Sequence, residues 1–185
     1  MKNIIVRMCN IADMQAVSRI RIDAWRQAFV GIIDQDILDS FDYETETQRR
    51  VTEYNERKTG DLMCVAEIDG AVRGFCLFDM AKETSLPNNE KNYGEIVAFY
   101  VEPNLQRSGI GKAMFDFVSH KFLERGINRM VVWTLTENKI GRNFYEKIGG
   151  NLFDTRTREI KGQICEEVGY IFSLESWMQQ KLEKN

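Results

Sequence analysis

The segment "QRSGIG" at residues 106–111 constrains the fold of this chain more than any other stretch. It follows the apolar run "YGEIVAFYVEP" at 93–103, which predicts a strand that Pro103 ends. A helical pattern begins within the segment and continues to about Glu124, and the run "RMVVWTL" at 129–135 predicts the next strand. Strand, helix and strand in this order predict two parallel strands joined by a crossover helix.

The other patterns add helices and antiparallel strands on both sides of this unit. Apolar residues at three- and four-residue steps over 11–31 predict an amphipathic helix, and Asp34 is expected to cap the next one. Two β-rich runs flank Asp69-Gly70, which predicts a hairpin over 61–80. The remaining predicted elements are a strand at 4–9, helices at 34–41 and 43–59, a loop at 83–92, a helix at 138–148, and strands at 151–160 and 163–173 that meet at Lys161-Gly162. This order predicts an α/β chain of mixed α+β type, with helices packed on a mixed sheet.

Length and composition fit one domain with a substantial core. The chain has 185 residues, of which 43% are hydrophobic and 29% charged, and no linker rich in Pro, Gly or Ser divides it. We expect a single domain over 1–185, with a core at 4–173 and a helical tail at 174–185. The net charge of -3 argues against nucleic-acid binding. Because there is no long apolar run and no signal-peptide pattern, we expect no membrane partner and a cytoplasmic location.

The cysteines give no sign of a metal site. Cys9, Cys64, Cys76 and Cys165 lie far apart, no C-x-x-C pair occurs, and the chain has one histidine. Zinc sites usually need closer ligand spacing and more histidines. We therefore expect no metal, and reduced cysteines buried in the core.

The two glycines of the 106–111 segment predict an anion site. Gly109 and Gly111 lack a Cβ, so the backbone there can approach a ligand closely. The helix that follows offers unpaired N–H groups and the positive end of its dipole, and Arg107 and Lys112 add charge. An ordinary strand–helix turn with two permissive glycines is the alternative.

Three nucleotide-binding patterns were compared with this segment. A phosphate-binding loop of the G-x-x-x-x-G-K-[ST] type would need Gly at Gln106 and a hydroxyl residue at Ala113. A dinucleotide fingerprint would need a third glycine at Met114. The pattern Q/R-x-x-G-x-G/A after a strand is matched in full.

Two segments, "AFYVEPNLQRSGIGKAMFDF" and "NKIGRNFYEKIGG", resemble the signature motifs of the GNAT superfamily of N-acetyltransferases. The spacing between them and the order of elements over about 4–173 also fit. The resemblance implies the GNAT fold, with a central, mixed and splayed sheet of six to seven strands flanked by helices. Asp34 stands where related bacterial members often carry Pro, and Gly150 stands where an aromatic residue is usual.

The resemblance implies acetyl-CoA as the co-substrate and assigns its contacts. Asn138 would hydrogen-bond the pantetheine arm, and Arg142 would either reach a CoA phosphate or lie on a solvated helix face. The backbone of the 98–101 strand would pair with the same arm. The implied cofactor-binding residues are Phe99, Tyr100 and Val101 on the strand, and Gln106, Arg107, Ser108, Gly109, Ile110, Gly111 and Lys112 in the loop.

The same resemblance suggests catalytic groups. Tyr145 would protonate the leaving thiolate, since a phenol with a pKa of about 10 carries its proton at neutral pH; a core tyrosine is the alternative. Glu95 would accept the proton of the amine, or would be a solvated residue at the start of a strand. His120 is a weaker candidate for that base, on the solvated side of its helix. The N–H of Val101 would stabilise the oxyanion.

The implied function is transfer of an acetyl group from acetyl-CoA to a small-molecule amine or a peptide. A non-catalytic CoA-binding sensor is the alternative, and a purely structural domain explains neither Asn138 nor its spacing to Tyr145. Trp25, Phe29 and Ile33 are candidates for the acceptor pocket or for simple helix packing. A homodimer with contacts in the tail, at Trp177 and Met178, is left open.

Overall fold

The computed structural model describes residues 3–56, 62–82, 86 and 92–182, with the side chains of 180–182 excepted. The strands are β1 (Ile4–Met8), β2 (Met63–Ile68), β3 (Ala71–Met80), β4 (Gly94–Val101), β5 (Arg129–Leu135), β6 (Asn151–Ile160) and β7 (Gln163–Ser173). The helices are α1 (Met14–Ala28), α2 (Gln35–Asp39), α3 (Tyr43–Glu56), α4 (Ile110–Leu123), α5 (Lys139–Lys147) and α6 (Leu174–Leu182). The loop predicted at 83–92 lies outside the described residues, apart from 86 and 92.

Seven strands form one mixed sheet, in the order β1-β2-β3-β4-β5-β7-β6. β4 and β5 are parallel and are joined by α4, which confirms the crossover unit predicted from the sequence. Antiparallel pairs join β1 with β2, β2 with β3, β5 with β7 and β6 with β7. The registered pairs of β4 with β5 run from Gly94 opposite Met130 to Ile96 opposite Val132, and β4 continues to Val101. The mixed α+β architecture expected from the order of elements is thus confirmed.

Both predicted hairpin turns have the backbone conformation that their sequences indicate. Asp69 and Gly70 have φ of 53° and 74°, and Lys161 and Gly162 have φ of 48° and 90°. Two successive left-handed residues match the twist of the flanking strands, which explains why Gly takes the second position in each turn.

The first compact unit of the chain comprises residues 1–77 and 98–117. In this unit α1 buries Met14, Val17 and Ile20, which keep the helical spacing of the sequence pattern. The residues of β2 and β3 packed in the same cluster are Met63, Val65, Phe75 and Leu77. Alternate positions of a hairpin therefore meet one face of a helix, as amphipathic elements require.

A capping box leads into α1. The Asn10 side chain accepts a hydrogen bond from the N–H of Ala12 at 2.9 Å, and Asp13 accepts one from the N–H of Asn10 at 2.8 Å. Arg7 on β1 donates to both carboxylate oxygens of Asp13, at 2.7 and 2.8 Å. The start of the helix is thereby tied to the edge of the sheet.

The second compact unit comprises residues 78–97 and 118–185. Phe122 meets Phe78 edge to face, with ring centroids 5.6 Å apart, and covers Gly94. A Cβ at Gly94 would lie 2.4 Å from Cζ of Phe122. The absence of a side chain at the start of β4 is therefore what lets the aromatic ring pack there.

The expected Asp34 cap is not formed in the way the sequence suggested. Asp34 occupies the N-cap position of α2, but its side chain makes no capping hydrogen bond, and its carbonyl accepts from Ile37 and Leu38 instead. All four cysteines are buried and none is in a disulfide, as expected. Within the described ranges, no helix has the length and hydrophobicity needed to cross a membrane.

Candidate active site

The loop between β4 and α4 has an unusual backbone. Arg107 has φ of 63° and Gly109 has φ of 93°, so two residues of the predicted anion site are left-handed. The left-handed region costs a residue other than glycine about 1 kcal/mol, and such strain clusters at ligand sites. The Ser108 hydroxyl donates to the carbonyl of Leu105 at 2.6 Å, and this hydrogen bond within the loop stabilises the turn. Residues 106–109 are all exposed, so the loop can meet a ligand.

The amides at the start of α4 are positioned for an anion. The first helical hydrogen bond runs from the N–H of Ala113 to the carbonyl of Gly109 at 3.0 Å. The N–H groups of Ile110, Gly111 and Lys112 precede this bond, so they have no hydrogen-bond acceptor within the helix. They lie at the positive end of the dipole of a 14-residue helix.

Ile110 contributes to this loop through its backbone, because its side chain is buried. It is 1% exposed, and its Cγ2 lies 3.0 Å from where a Cβ at Gly74 would stand. The same Cβ would lie 3.1 Å from the carbonyl oxygen of Tyr100. The lack of a side chain at Gly74 on β3 therefore lets Ile110 and the backbone of β4 pack closely against β3. No sequence motif indicated this role of Gly74.

The strand residues proposed to bind the cofactor are half-buried. The Tyr100 hydroxyl accepts a hydrogen bond of 2.8 Å from Nε1 of Trp25, and its ring packs against Phe75 with centroids 5.5 Å apart. The side chain of Tyr100 is thus committed to the first unit. Phe99 and Val101, which flank it, are also half-buried.

The three candidates for the acceptor pocket are core residues. Trp25, Phe29 and Ile33 are 8%, 6% and 3% exposed, respectively. Trp25 and Phe29 meet edge to face at 4.9 Å between centroids, and the N–H of Ile33 donates to the carbonyl of Phe29 at 2.9 Å. The structure brings the three together, and their burial favours the helix-packing interpretation over direct contact with a substrate.

Arg21, which lies one helical turn before Trp25, was missed by the sequence analysis. Its guanidinium carbon is 4.8 Å from the centroid of the Trp25 ring and 5.1 Å from that of Phe41. Its Nη1 lies 3.4 Å from Oε1 of Glu46. Burial lowers the pKa of Arg21, and the nearby Tyr100 and Glu46 act in the opposite direction. The only available sequence signal was an Arg four residues before a Trp on one helix.

In the second unit, Asn138 caps α5. Its Oδ1 accepts from the N–H of Gly141 at 3.0 Å, and its Nδ2 donates to Oγ1 of Thr134 at 3.0 Å. A Cβ at Gly141 would lie 2.6 Å from Nδ2, so a larger residue there would displace the Asn138 amide. Asn138 therefore has a structural role that the motif alone did not reveal, and one amide hydrogen is left for another acceptor.

Arg142 is held within the second unit. Its Nε donates to the Tyr170 hydroxyl at 3.2 Å and its Nη1 donates to the carbonyl of Thr136 at 3.1 Å. Tyr170 in turn donates to Oε1 of Glu146 at 2.6 Å. The hydrogen bond to Tyr170 raises the pKa of Arg142. These contacts make Arg142 more than a solvated surface residue.

Tyr145 is 6% exposed and lies among aromatic rings. The centroids of Phe144, Tyr170 and Phe172 are 5.4, 5.8 and 6.4 Å from its own. The ring is thus fixed by packing, which is compatible with both a core role and a precisely oriented hydroxyl. Its catalytic role stays a prediction.

The unusual glycine after the second motif has a packing explanation. A Cβ at Gly150 would lie 2.6 Å from Cζ of Phe172 and 2.9 Å from the carbonyl oxygen of Tyr145. The N–H of Gly150 donates to that carbonyl at 2.9 Å. Phe172 on β7 occupies the space next to Gly150, so an aromatic ring is supplied from another strand.

The candidates for a general base lie in the second unit. Glu95 is half-buried on β4, opposite Val131 of β5, and His120 is exposed near the end of α4. Neither role is tested by the geometry. Across the described ranges, no group of three or more His, Cys, Asp and Glu side chains is arranged to hold a metal ion.

Comparisons with known proteins agree with the fold and the motifs. The chain is 26% identical over 165 residues to the uncharacterized N-acetyltransferase YuaI of Bacillus subtilis, covering 89% of this chain and 90% of that protein. It is 20% identical to the spermidine N(1)-acetyltransferase of Thermoplasma acidophilum, covering 81% of this chain and 89% of that protein. The structure of YncA from Salmonella typhimurium with acetyl-CoA superposes with a TM-score of 0.69 at 18% identity, covering 92% and 94% of the two chains. The family model described as the acetyltransferase (GNAT) family matches residues 20–150. This chain therefore belongs to the acetyltransferase (GNAT) family.

Proposed function

We propose that this protein transfers an acetyl group from acetyl-CoA to a primary amine. The observation that carries the proposal is the loop at 106–112, which is exposed at 106–109, has left-handed Arg107 and Gly109, and includes helix amides that precede the first hydrogen bond of α4. Backbone N–H groups at a helix N-terminus bind phosphate groups well. The loop residues from Gln106 to Lys112 then hold the pyrophosphate of CoA, and the exposed side chains of Arg107 and Lys112 add positive charge.

The pantetheine arm binds along β4 in this proposal. β4 continues from Ile96 to Val101 beyond its last registered pair with β5, and we assign the pantetheine arm to this part of the strand, at Phe99 and Val101. An extended ligand can pair with the main chain of a strand as an added strand does. The remaining amide hydrogen of Asn138 is assigned to the same arm.

The chemistry is a single displacement at the thioester carbon. The nitrogen lone pair of the amine attacks this carbon, a C–N bond forms, and the C–S bond breaks. The thiolate takes the proton of the Tyr145 hydroxyl, and the amine gives its extra proton to Glu95, directly or through water. General acid catalysis of this kind is typically worth about 10²–10⁴-fold. The N–H of Val101 stabilises the oxyanion.

The relatives support an amine as the acceptor. One relative is named as a spermidine N(1)-acetyltransferase, and the acceptor of this chain is proposed to be an amine of a small molecule or a peptide. We also propose that residues 1–185 form a single domain and that the protein can form a homodimer.

Two measurements separate this proposal from its alternatives. Calorimetry with acetyl-CoA tests cofactor binding, and a thiol-release assay with a broad amine panel tests turnover. We expect binding and thiol release that depends on the amine. Binding without release for any amine would favour a CoA-binding sensor, and the absence of binding would favour a structural domain.

A further inference from the structure

We propose that Arg21 and Tyr100 bind a carboxylate on the acceptor, so that the preferred substrates are amines that also carry a carboxylate. The inference rests on the acetyltransferase function proposed above and names its substrate class. It starts from an arginine whose hydrogen-bonding capacity is unused.

The Arg21 guanidinium makes no hydrogen bond to any residue in the described ranges. Its Nη1 is buried without a hydrogen-bond partner, and its 3.4 Å approach to Oε1 of Glu46 is an ion pair only. A guanidinium has five N–H donors, and buried donors without acceptors are costly. The side chain is 15% exposed, so part of it stays within reach of a ligand.

Two aromatic rings lie against this guanidinium. Trp25 and Phe41 lie within stacking distance of its carbon, at 4.8 and 5.1 Å from their centroids. The two ring centroids are only 5.2 Å apart and their planes meet at 74°, so both rings lie on one side of the guanidinium and leave its other side for a polar partner. The planar fork suits a carboxylate, which can accept two parallel hydrogen bonds.

The charges around Arg21 do not balance. Glu46 already accepts hydrogen bonds from Arg49 at 2.7 Å and from Arg50 at 3.0 Å. Glu53 pairs with the same two arginines. Among the described residues, three guanidinium groups thus pair with two carboxylates, and this cluster has one excess positive charge. Unpaired buried charge is unfavourable, so an anionic ligand would stabilise this site and a polycationic acceptor would be repelled.

Tyr100 supplies a second donor. Its oxygen accepts the indole N–H of Trp25 at 2.8 Å, and its own O–H donates to no other residue in the described part of the chain. Tyr100 is also among the groups that set the electrostatic environment of Arg21. A guanidinium and a hydroxyl on the same aromatic cluster form a donor set that fits a carboxylate.

The test uses acceptors matched in everything but the carboxylate. Thiol release is measured with 4-aminobutanoate against n-butylamine, and with each of the common α-amino acids against its carboxamide. Wild-type protein is expected to show kcat/KM at least tenfold higher for the carboxylate member of the accepted pair. Hydrogen bonds to a charged group are worth roughly 10- to 100-fold, so Arg21→Gln should lower that kcat/KM by about this factor, mainly through KM. Its value for the uncharged member should change less than about threefold.

Matched variants separate recognition from folding. Arg21→Lys keeps the charge without the fork, and Tyr100→Phe removes only the hydroxyl, so both should lose part of the preference. Arg19→Gln, on the same helix but paired with Glu102, should keep it. The melting temperature of Arg21→Gln should stay within about 3 °C of the wild type, because lost stacking is offset by relief of buried charge. Equal losses for both members of a pair, or a wild-type preference for the uncharged member, would overturn the proposal.

A binding measurement keeps this inference separate from the function on which it rests. Calorimetry with the same pairs is run in the presence of CoA, which carries no acetyl group and permits no turnover. Carboxylate acceptors that bind to the wild type but not to Arg21→Gln, without thiol release from acetyl-CoA, would sustain the site and reject the transferase activity. Binding of no carboxylate acceptor in the panel, with no turnover, would overturn the site itself.

Discussion

The indole of Trp25 donates a 2.8 Å hydrogen bond to the hydroxyl of Tyr100, and so joins the last turn of α1 to the strand that precedes the 106–112 loop. Trp25 is also stacked with Arg21 and meets Phe29 and Phe41 edge to face. One residue therefore contacts β4, the Arg21 guanidinium and the C-terminal end of α1.

Trp25→Phe tests this junction. The variant keeps an aromatic ring but loses the indole N–H, so the half-buried hydroxyl of Tyr100 is left without its donor and some packing is lost. We expect the free energy of unfolding to fall by about 1–3 kcal/mol, measured by urea denaturation. Tyr100→Phe removes the acceptor instead and should cost less. A Trp25→Phe variant as stable as the wild type would contradict the role of this bond.

Gly109→Ala tests the anion loop. Gly109 has φ of 93°, where a Cβ is strained, although the only atom near that Cβ is Cδ1 of Ile4 at an ordinary 3.6 Å. An alanine at this φ should shift the backbone to a less strained conformation and so displace the loop amides. We therefore expect the Kd for acetyl-CoA, measured by calorimetry, to rise at least about tenfold. Gly162→Ala is the matched control, because Gly162 has φ of 90° with nothing within 4 Å of its Cβ and lies in the β6–β7 turn. Equal affinities of the two variants would reject the loop as the pyrophosphate site.

Tyr145→Phe tests the proposed general acid. The ring is held by Phe144, Tyr170 and Phe172, so the variant should keep its packing and lose only the hydroxyl. We expect kcat to fall at least about tenfold with little change in the Kd for acetyl-CoA. Tyr93→Phe, which removes a hydroxyl that accepts from Arg129, should leave kcat unchanged. Undiminished turnover of Tyr145→Phe would leave Tyr145 a core residue.

The stability of the protein should fall in acid through Asp13. Burial alone would raise the pKa of Asp13, but the hydrogen bonds from Arg7 and from the N–H of Asn10 outweigh it, and the pKa lies below its ordinary value of 3.8. Folding therefore favours the ionised form. Its contribution is complete above the unfolded pKa and is lost as the pH falls through the lower, folded pKa.

Urea denaturation at a series of pH values between about 6 and 2 measures this contribution. The loss of stability below the ordinary pKa of 3.8 should be smaller in Asp13→Asn than in the wild type. Asp39→Asn, at an exposed position on α2, controls for the loss of one carboxylate elsewhere in the chain. Parallel curves for Asp13→Asn and the wild type would show that the Arg7–Asp13 contact is not a source of acid sensitivity.

Local sequence signals were enough for most of the fold. The strand predicted at 129–135 is found at those residues, and the helix predicted at 138–148 is Lys139–Lys147, because its ends are marked by Asn138 and by Gly149-Gly150. The parallel pair followed from the strand–helix–strand order alone. Each of these predictions depends only on residues that are close in sequence, so the local pattern was sufficient.

The parts that were missed depend on contacts between distant residues. Arg21 contacts Phe41, which is twenty residues away in sequence and lies beyond α2. Gly150 leaves space for Phe172, which lies on β7. Asp34 lies at the predicted N-cap position of α2, but its side chain makes no capping hydrogen bond, because a favourable residue type does not by itself secure that bond. The spacing of Trp25, Phe29 and Ile33 fits both a packed core and an acceptor pocket, so the sequence alone did not show that these residues are buried.

If the 106–112 loop is the pyrophosphate site proposed above, the buried side chain of Ile110 affects how quickly acetyl-CoA binds. Since Ile110 anchors the exposed turn against β3, the amides are already oriented before any ligand arrives, and little ordering entropy is lost on association. Capture then resembles docking onto a rigid surface. A bulkier residue at Gly74, more than thirty positions upstream in the chain, would loosen that surface and slow the encounter without touching the ligand.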